Sequence, residues 1–258
     1  MRWVRLNRNQ YKLALITGAS SGLGLALAKA LSSQCESLLL SSRTPCQPLP
    51  NAKWIECDLA KTRAPLLEVI QTQVPDLLIN NAGFTTYGDC LDEFSSQKEI
   101  FTVNAEAPFE LALEAARALK EKKKKGTILN IGSAASFFPF PAMAVYSASK
   151  AFLASFSQSL DEEMKPYGVR SLVALPGQIA TPFAMRAAHN PHLKQPPCSM
   201  PIETAVRLLL RQLEQQTPYA VIDWKIRLAT LLSHLAPRTF LANRFRKNLL
   251  SRKNPKDQ

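Results

Sequence analysis

A tyrosine and a lysine stand four residues apart in "VYSASKAF", at Tyr146 and Lys150, with only Ser147, Ala148 and Ser149 between them. On an α-helix this spacing puts both side chains on one face, roughly 5–6 Å apart at Cβ. The small neighbours leave room for a third group. A phenol is a weak acid at neutral pH, with a pKa of about 10. An ammonium about 5 Å away, at an effective dielectric near 20, favours phenolate by roughly 3 kcal/mol, or about two pKa units. Burial alone would push the phenol the other way, so the cation is needed. The chemistry such a pair offers is proton donation. Ser133, thirteen residues before the tyrosine, adds a hydroxyl at the end of an apolar run.

A second group of residues suits phosphate. "TGASSGLG" (17–24) follows an apolar run and opens an amphipathic one. Gly18, Gly22 and Gly24 let the backbone turn tightly and approach a pyrophosphate, which then sits on the N–H groups of a helix N-terminus. The next apolar run ends in "SSRTP". An Asp or Glu at that place would bind ribose hydroxyls, whereas Arg43 can fork onto a 2′-phosphate. NADP(H) is therefore the expected dinucleotide, with NAD(H) left open. The plainer alternative for Arg43 is an exposed strand-end arginine.

The elements that must position these residues follow from short apolar runs alternating with longer amphipathic ones, the mark of βαβ units. Strands are expected at 13–17, 37–42, 53–57, 76–80, 126–132, 169–175 and 219–222, and helices at 22–34, 62–73, 96–122, 146–165 and 202–215. Most strands are continuously apolar, as in a parallel sheet covered on both faces. The expected fold is one domain over 1–258, a doubly wound parallel sheet of order 3-2-1-4-5-6-7 with a C-terminal helical extension. The proline-rich segment 183–201 is expected to be a long functional loop. Its His189 and His192 lack a supporting carboxylate cluster, so no metal site is expected.

Composition narrows the class. With 46% hydrophobic and 20% charged residues, the 258-residue chain has the make-up of a globular protein. Five scattered cysteines without a CxxC pair suggest reduced thiols in the cytoplasm. Arg2, Arg5 and Arg8 ahead of the apolar stretch 13–31 imitate a signal peptide, but the glycine turn interrupts it. The net charge of +12 would suit nucleic acid, yet no recognition motif accompanies it and no such partner is expected. Five lysines within 120–125 suit the solvated C-terminus of a helix. From Tyr219 to Gln258 nine Lys/Arg face two Asp. There Trp224, Leu228, Leu231, Leu232 and Leu235 share a helical face, with Ile226 out of place. Leu241, Phe245 and Leu249 form a second stripe. Two roles fit this basic amphipathic extension: packing as a lid or subunit contact, and peripheral contact with an anionic membrane.

The motifs occur together, in order, as in the short-chain dehydrogenase/reductase family, which the chain resembles from roughly Tyr11 to Phe183. The resemblance implies a Rossmann fold and a cofactor held by Gly18, Ser20, Ser21, Gly22, Leu23 and Gly24 of the turn. It further implies Asp58 and Leu59 of "CDL" at the adenine, and Asn81, Ala82 and Gly83 of "NNAG" beside the cofactor. Pro176, Gly177 and Ile179 of "PGQIATPF" would lie over the nicotinamide, with Thr181 on its carboxamide. By the same likeness Tyr146 is the general acid, Lys150 lowers its pKa and binds the nicotinamide ribose, and Ser133 holds the carbonyl oxygen. Asn104 of "VNAEAPF" positions a relay water. Many NADP-dependent members carry a basic residue before the middle glycine. Ser21 stands there instead, leaving the cofactor preference on Arg43. The implied function is an NADPH-dependent carbonyl reductase or alcohol dehydrogenase, acting on a small carbonyl or alcohol substrate that could be lipidic, and working as a homo-oligomer. The alternative, a non-catalytic NADP(H)-sensing regulator, would need a damaged catalytic set, and this set is complete.

Overall fold

The computed structural model describes residues 11–91, 94–194 and 199–233. The chain runs β1 (Tyr11–Thr17), α1 (Gly22–Leu31), β2 (Cys35–Ser42), β3 (Ala52–Glu56), α2 (Ala64–Gln73) and β4 (Leu77–Asn80). It continues through α3 (Phe94–Phe101), α4 (Ala107–Glu121), β5 (Gly126–Ile131), α5 (Ala144–Met164) and β6 (Val169–Leu175). Then come α6 (Phe183–Ala187), α7 (Ile202–Gln215), β7 (Tyr219–Val221) and α8 (Trp224–Ser233). Among the described residues the strands form one sheet of order β3-β2-β1-β4-β5-β6-β7, every pair parallel. The Rossmann-type architecture and the strand order are those expected.

Two buried clusters cover the two faces of the sheet. On one side Leu27 and Leu31 of α1 and Leu209, Leu210 and Leu213 of α7 pack over Ile16, Leu40 and Ile79. On the other, Leu66 and Ile70 of α2 and Leu111, Ala112 and Ala115 of α4 pack over Leu15, Leu39 and Leu78. Burying each such leucine or isoleucine contributes about 1.5–3 kcal/mol relative to exposure.

The expected helix over 96–122 is interrupted. Thr102–Glu106 forms a π turn between α3 and α4, closed by the Ala107 N–H donating to the Thr102 carbonyl. Pro108 explains the break. It has no N–H to offer the Asn104 carbonyl four residues earlier, so the regular α-helical ladder cannot pass Asn104. The segment 183–201 is not all loop. It carries the short helix α6, and Met200 pairs with the 178–180 backbone through Met200 N–Gln178 O at 2.8 Å and Ala180 N–Met200 O at 2.9 Å.

Buried polar contacts set α5 against the sheet. Asn80 Nδ2 donates to Asn130 Oδ1 at 2.9 Å, and Asn130 Nδ2 donates to Ser157 Oγ at 2.9 Å. Asp161, fully buried, accepts from Arg170 Nε and Nη2 at 2.8 and 2.9 Å and from Ser171 N at 2.8 Å. Buried groups must be satisfied to avoid a desolvation cost, so these contacts tie α5 to β4, β5 and β6 in one register.

The tail departs from the expected arrangement. Ile226, out of place in the apolar stripe, packs inward, because Gly177 offers no side chain and a Cβ there would lie 3.0 Å from Ile226 Cγ1. Trp224 and Leu228 are 69% and 50% exposed. The second stripe and most of the basic tail lie outside the described residues. No helix of the described residues is long and apolar enough to cross a membrane.

Candidate active site

At the carboxyl ends of the strands lies a cavity of about 810 Å³. One end is the glycine turn. Gly18 and Gly22 have φ of +67° and +56°, a region that side chains disfavour. A Cβ on Gly18 would lie 2.8 Å from Ala82 Cα, so the turn can nest against the β4 loop only without one. Thr17 and Asn81 lock this approach. Thr17 Oγ1 accepts from the backbone N–H groups of Asn81 and Ala82 at 3.0 and 3.1 Å, while Asn81 Nδ2 donates to Thr17 O at 2.9 Å and Gly18 O at 3.2 Å. The turn is joined to β2 as well, through Ala19 N–Ser41 O at 3.1 Å.

Gly18, Ser20, Ser21, Gly22, Leu23, Arg43, Asp58, Leu59, Asn81, Ala82 and Gly83 all line this cavity, as do Ser133, Tyr146, Lys150, Pro176, Gly177, Ile179 and Thr181. Gly24 and Asn104 do not. Gly24 is a packing residue, since a Cβ there would lie 2.3 Å from Gly18 O. The Asn104 side chain is spent on the backbone of Phe84, its Nδ2 donating to Phe84 O at 2.8 Å and its Oδ1 accepting from Phe84 N at 3.0 Å. A Cβ on Gly83 would lie 2.8 Å from Asn104 Oδ1 and 3.5 Å from Lys150 Nζ. The glycine lets both come close.

Tyr146 and Lys150 share the buried face of α5, with 8% and 4% exposure. Lys150 Nζ donates to the Ile131 carbonyl at 2.9 Å and sits 6.0 Å from the centre of the Tyr146 ring. Burial pushes the Tyr146 phenol up to about 12, the Ser133 hydroxyl beside it offsetting part of the rise. Burial likewise pushes the Lys150 ammonium down to about 8. The spacing of Tyr146 and Lys150 predicts that the cation outweighs burial at the phenol. In the folded protein burial is the largest effect on the phenol, and the ammonium, itself buried, donates to the Ile131 carbonyl. Ser133 caps the short turn Ala134–Phe137, its Oγ accepting from Ala135 N at 3.1 Å. Phe84, Tyr87, Phe140, Met143 and Phe183 add an apolar wall.

The model of the family described as short chain dehydrogenase matches residues 12–192. The chain belongs to the short-chain dehydrogenase family. It is 32% identical over 188 residues to the NADPH-dependent 1-acyldihydroxyacetone phosphate reductase of Saccharomyces cerevisiae, across 67% of this chain and 63% of that protein. Its structure resembles a short-chain dehydrogenase from Burkholderia cenocepacia in complex with NADP, with a TM-score of 0.77 at 24% identity, covering 94% of this chain and 99% of that one. It also resembles a short-chain dehydrogenase from Sphingobium yanoikuyae in complex with NADPH, with a TM-score of 0.73 at 25% identity, covering 86% and 93%. As a member of this family the protein is an oxidoreductase acting on carbonyl or alcohol groups.

Several residues that build this dehydrogenase's site escape a linear reading. Thr17 ends an expected strand, but nothing local reveals that its hydroxyl serves two N–H groups across the sheet. The apolar wall comes from three separate segments. Arg186 reaches the turn from α6, 165 residues away, its Nη2 donating to Ser21 Oγ at 3.0 Å.

Proposed function

We propose that the protein is an NADPH-dependent carbonyl reductase, in reverse an alcohol dehydrogenase, with Tyr146 as general acid. The observation that carries this reading is that the Tyr146 phenol, the Ser133 hydroxyl and the Lys150 ammonium line the same cavity as the glycine turn and Arg43. The cavity suits a dinucleotide: the turn comes within reach of a pyrophosphate without a Cβ in the way, and α1 begins directly behind it. Bound NADPH would supply a hydride to the carbonyl carbon. The residues of the chain do the rest. Arg43 holds the 2′-phosphate, Asp58 and Leu59 flank the adenine, and Thr181 with Pro176, Gly177 and Ile179 covers the nicotinamide. Ser133 orients the carbonyl oxygen. Tyr146, whose raised pKa keeps its proton at neutral pH, releases it to the oxygen only as alkoxide charge develops. Lys150 stabilises the phenolate left behind and binds the nicotinamide ribose. Asn104 is a positioning residue, holding the Gly83–Phe84 backbone beside Lys150.

The apolar wall fits a ketone flanked by hydrocarbon, and the yeast relative's acyl-bearing substrate points to the same lipidic class. Trp224 and Leu228, exposed next to Lys225 and Arg227, fit peripheral contact with an anionic membrane surface from the cytoplasmic side. A homo-oligomer would form through the aromatic face of α4 and α5, where Phe152 stacks on Phe156 and is 42% exposed.

The experiment is a panel of carbonyl compounds, from acetoacetyl esters to long-chain ketones, followed by loss of NADPH absorbance, with dissociation constants for NADPH and NADH. Turnover rising with chain length and tighter NADPH binding are expected. No turnover of any ketone would overturn the reductase reading, and tighter NADH binding would overturn the cofactor reading.

A further inference from the structure

Arg186 lies on α6, the helix that also brings Phe183 and Ala184 to the cavity, yet its guanidinium points back to the glycine turn, donating from Nη2 to Ser21 Oγ at 3.0 Å. Ser21 precedes α1 but makes no side-chain cap to its own helix, so its hydroxyl serves as an acceptor for the arginine. A guanidinium has five donors, and the contact to Ser21 occupies one. Among the described residues Arg186 forms no ion pair with a carboxylate. The turn it reaches is joined to the end of β2 by Ala19 N–Ser41 O, two residues before Arg43, and both arginines line the cavity. Two guanidinium groups far apart in the chain therefore line one cavity, Arg186 bonded to the turn and Arg43 two residues past the point where that turn is tied to β2.

We infer that Arg186 is a second ligand of the cofactor's 2′-phosphate, supplied by α6 to the corner where Arg43 stands. This rests on the NADP(H) reading above and deepens it. A dianionic phosphate gains from two forked cations, and the turn itself carries no cationic side chain. Because α6 also forms part of the apolar wall, the same arginine ties the phosphate-bearing cofactor to the substrate side.

The test compares parent, Arg186→Gln and Arg43→Gln by equilibrium binding of NADPH, NADH, adenosine 2′,5′-bisphosphate and AMP. Both arginines are exposed, so the glutamine variants should fold, which circular dichroism checks. Arg186→Gln should weaken NADPH and the bisphosphate about tenfold while NADH and AMP change less than about threefold, because the lost bond is charge-assisted and specific to the added phosphate. High salt should narrow the difference between parent and variant. Equal weakening of NADPH and NADH would assign Arg186 to the pyrophosphate and overturn the inference, as would no weakening at all. If Arg43→Gln discriminates and Arg186→Gln does not, the NADP(H) reading stands and this inference alone falls. A parent that binds NADH more tightly overturns both.

Discussion

At the residue scale, the site depends on two ionisable groups whose shifts leave Tyr146 neutral and Lys150 only modestly in favour of its cation at pH 7. Tyr146→Phe removes the proton donor and little else, since the ring remains packed against Phe183. Turnover should fall by at least about a hundredfold while NADPH affinity stays nearly unchanged. Steady-state kinetics with a binding titration checks this, and turnover close to the parent's would remove Tyr146 from its role. Lys150 gives a pH prediction. Its folded pKa of about 8 lies below the ordinary lysine value of 10.5, so between these pH values the unfolded chain binds the extra proton. Stability therefore rises with pH in that window and is penalised in full below about pH 8. Lys150→Met has no such proton. Measured by denaturant unfolding without cofactor, the parent should gain roughly 3 kcal/mol on the variant from pH 8 to 10.5. A constant difference would mean that Lys150 is not held near 8. The raised Tyr146 pKa acts oppositely, but only above about pH 10, where the folded state holds a proton that the unfolded chain releases.

At the element scale, close approach matters more than propensity. The β1–α1 turn works because the first turn of α1 lies against Gly18 and Asn81, and a Cβ on Gly24 would sit 2.4 Å from Asn81 Nδ2 as well as 2.3 Å from Gly18 O. Backbone cannot yield cheaply there. Gly24→Ala should cost about 1–3 kcal/mol of stability by overpacking and weaken both nicotinamide cofactors together. Thermal unfolding and cofactor titration read the two effects. An alanine variant with parental stability and binding would show that α1 can move away from the turn without loss. The π turn before α4 is a second such device: Pro108 breaks the ladder at Asn104, and the asparagine side chain then fastens the Gly83–Phe84 loop.

At the scale of the whole molecule, α8 shows Trp224 and Leu228 outward while Ile226 faces the cavity. If that outer face meets an anionic membrane, each basic residue near the lipid adds about 1 kcal/mol. The full chain should pellet with vesicles containing phosphatidylserine, less at high salt, and weakly with neutral phosphatidylcholine. Trp224→Ala combined with Leu228→Ala should reduce pelleting while leaving turnover of a small water-soluble ketone unchanged. Equal pelleting of both proteins would detach this face from membrane contact. A fall in soluble-ketone turnover would make α8 a lid.

Much of this was determined locally. The alternation of apolar runs decided the strands, because a parallel sheet covered on both faces needs continuous apolar segments, and the glycine spacing marked the turn because only glycine tolerates its φ and its close contacts. The Tyr146–Lys150 face followed from helical periodicity alone. What the sequence could not decide depends on distance through space. Nothing near Ser21 announces Arg186, and nothing near Gly177 announces Ile226. The break at Asn104 was legible in principle, since Pro108 lacks an N–H, but the Phe84 backbone that its side chain holds comes from another loop. The acidity of the phenol was the sharpest case. Spacing supplied the nearby cation, whereas only the packed fold decided how much water both groups lose, and that loss outweighs the charge.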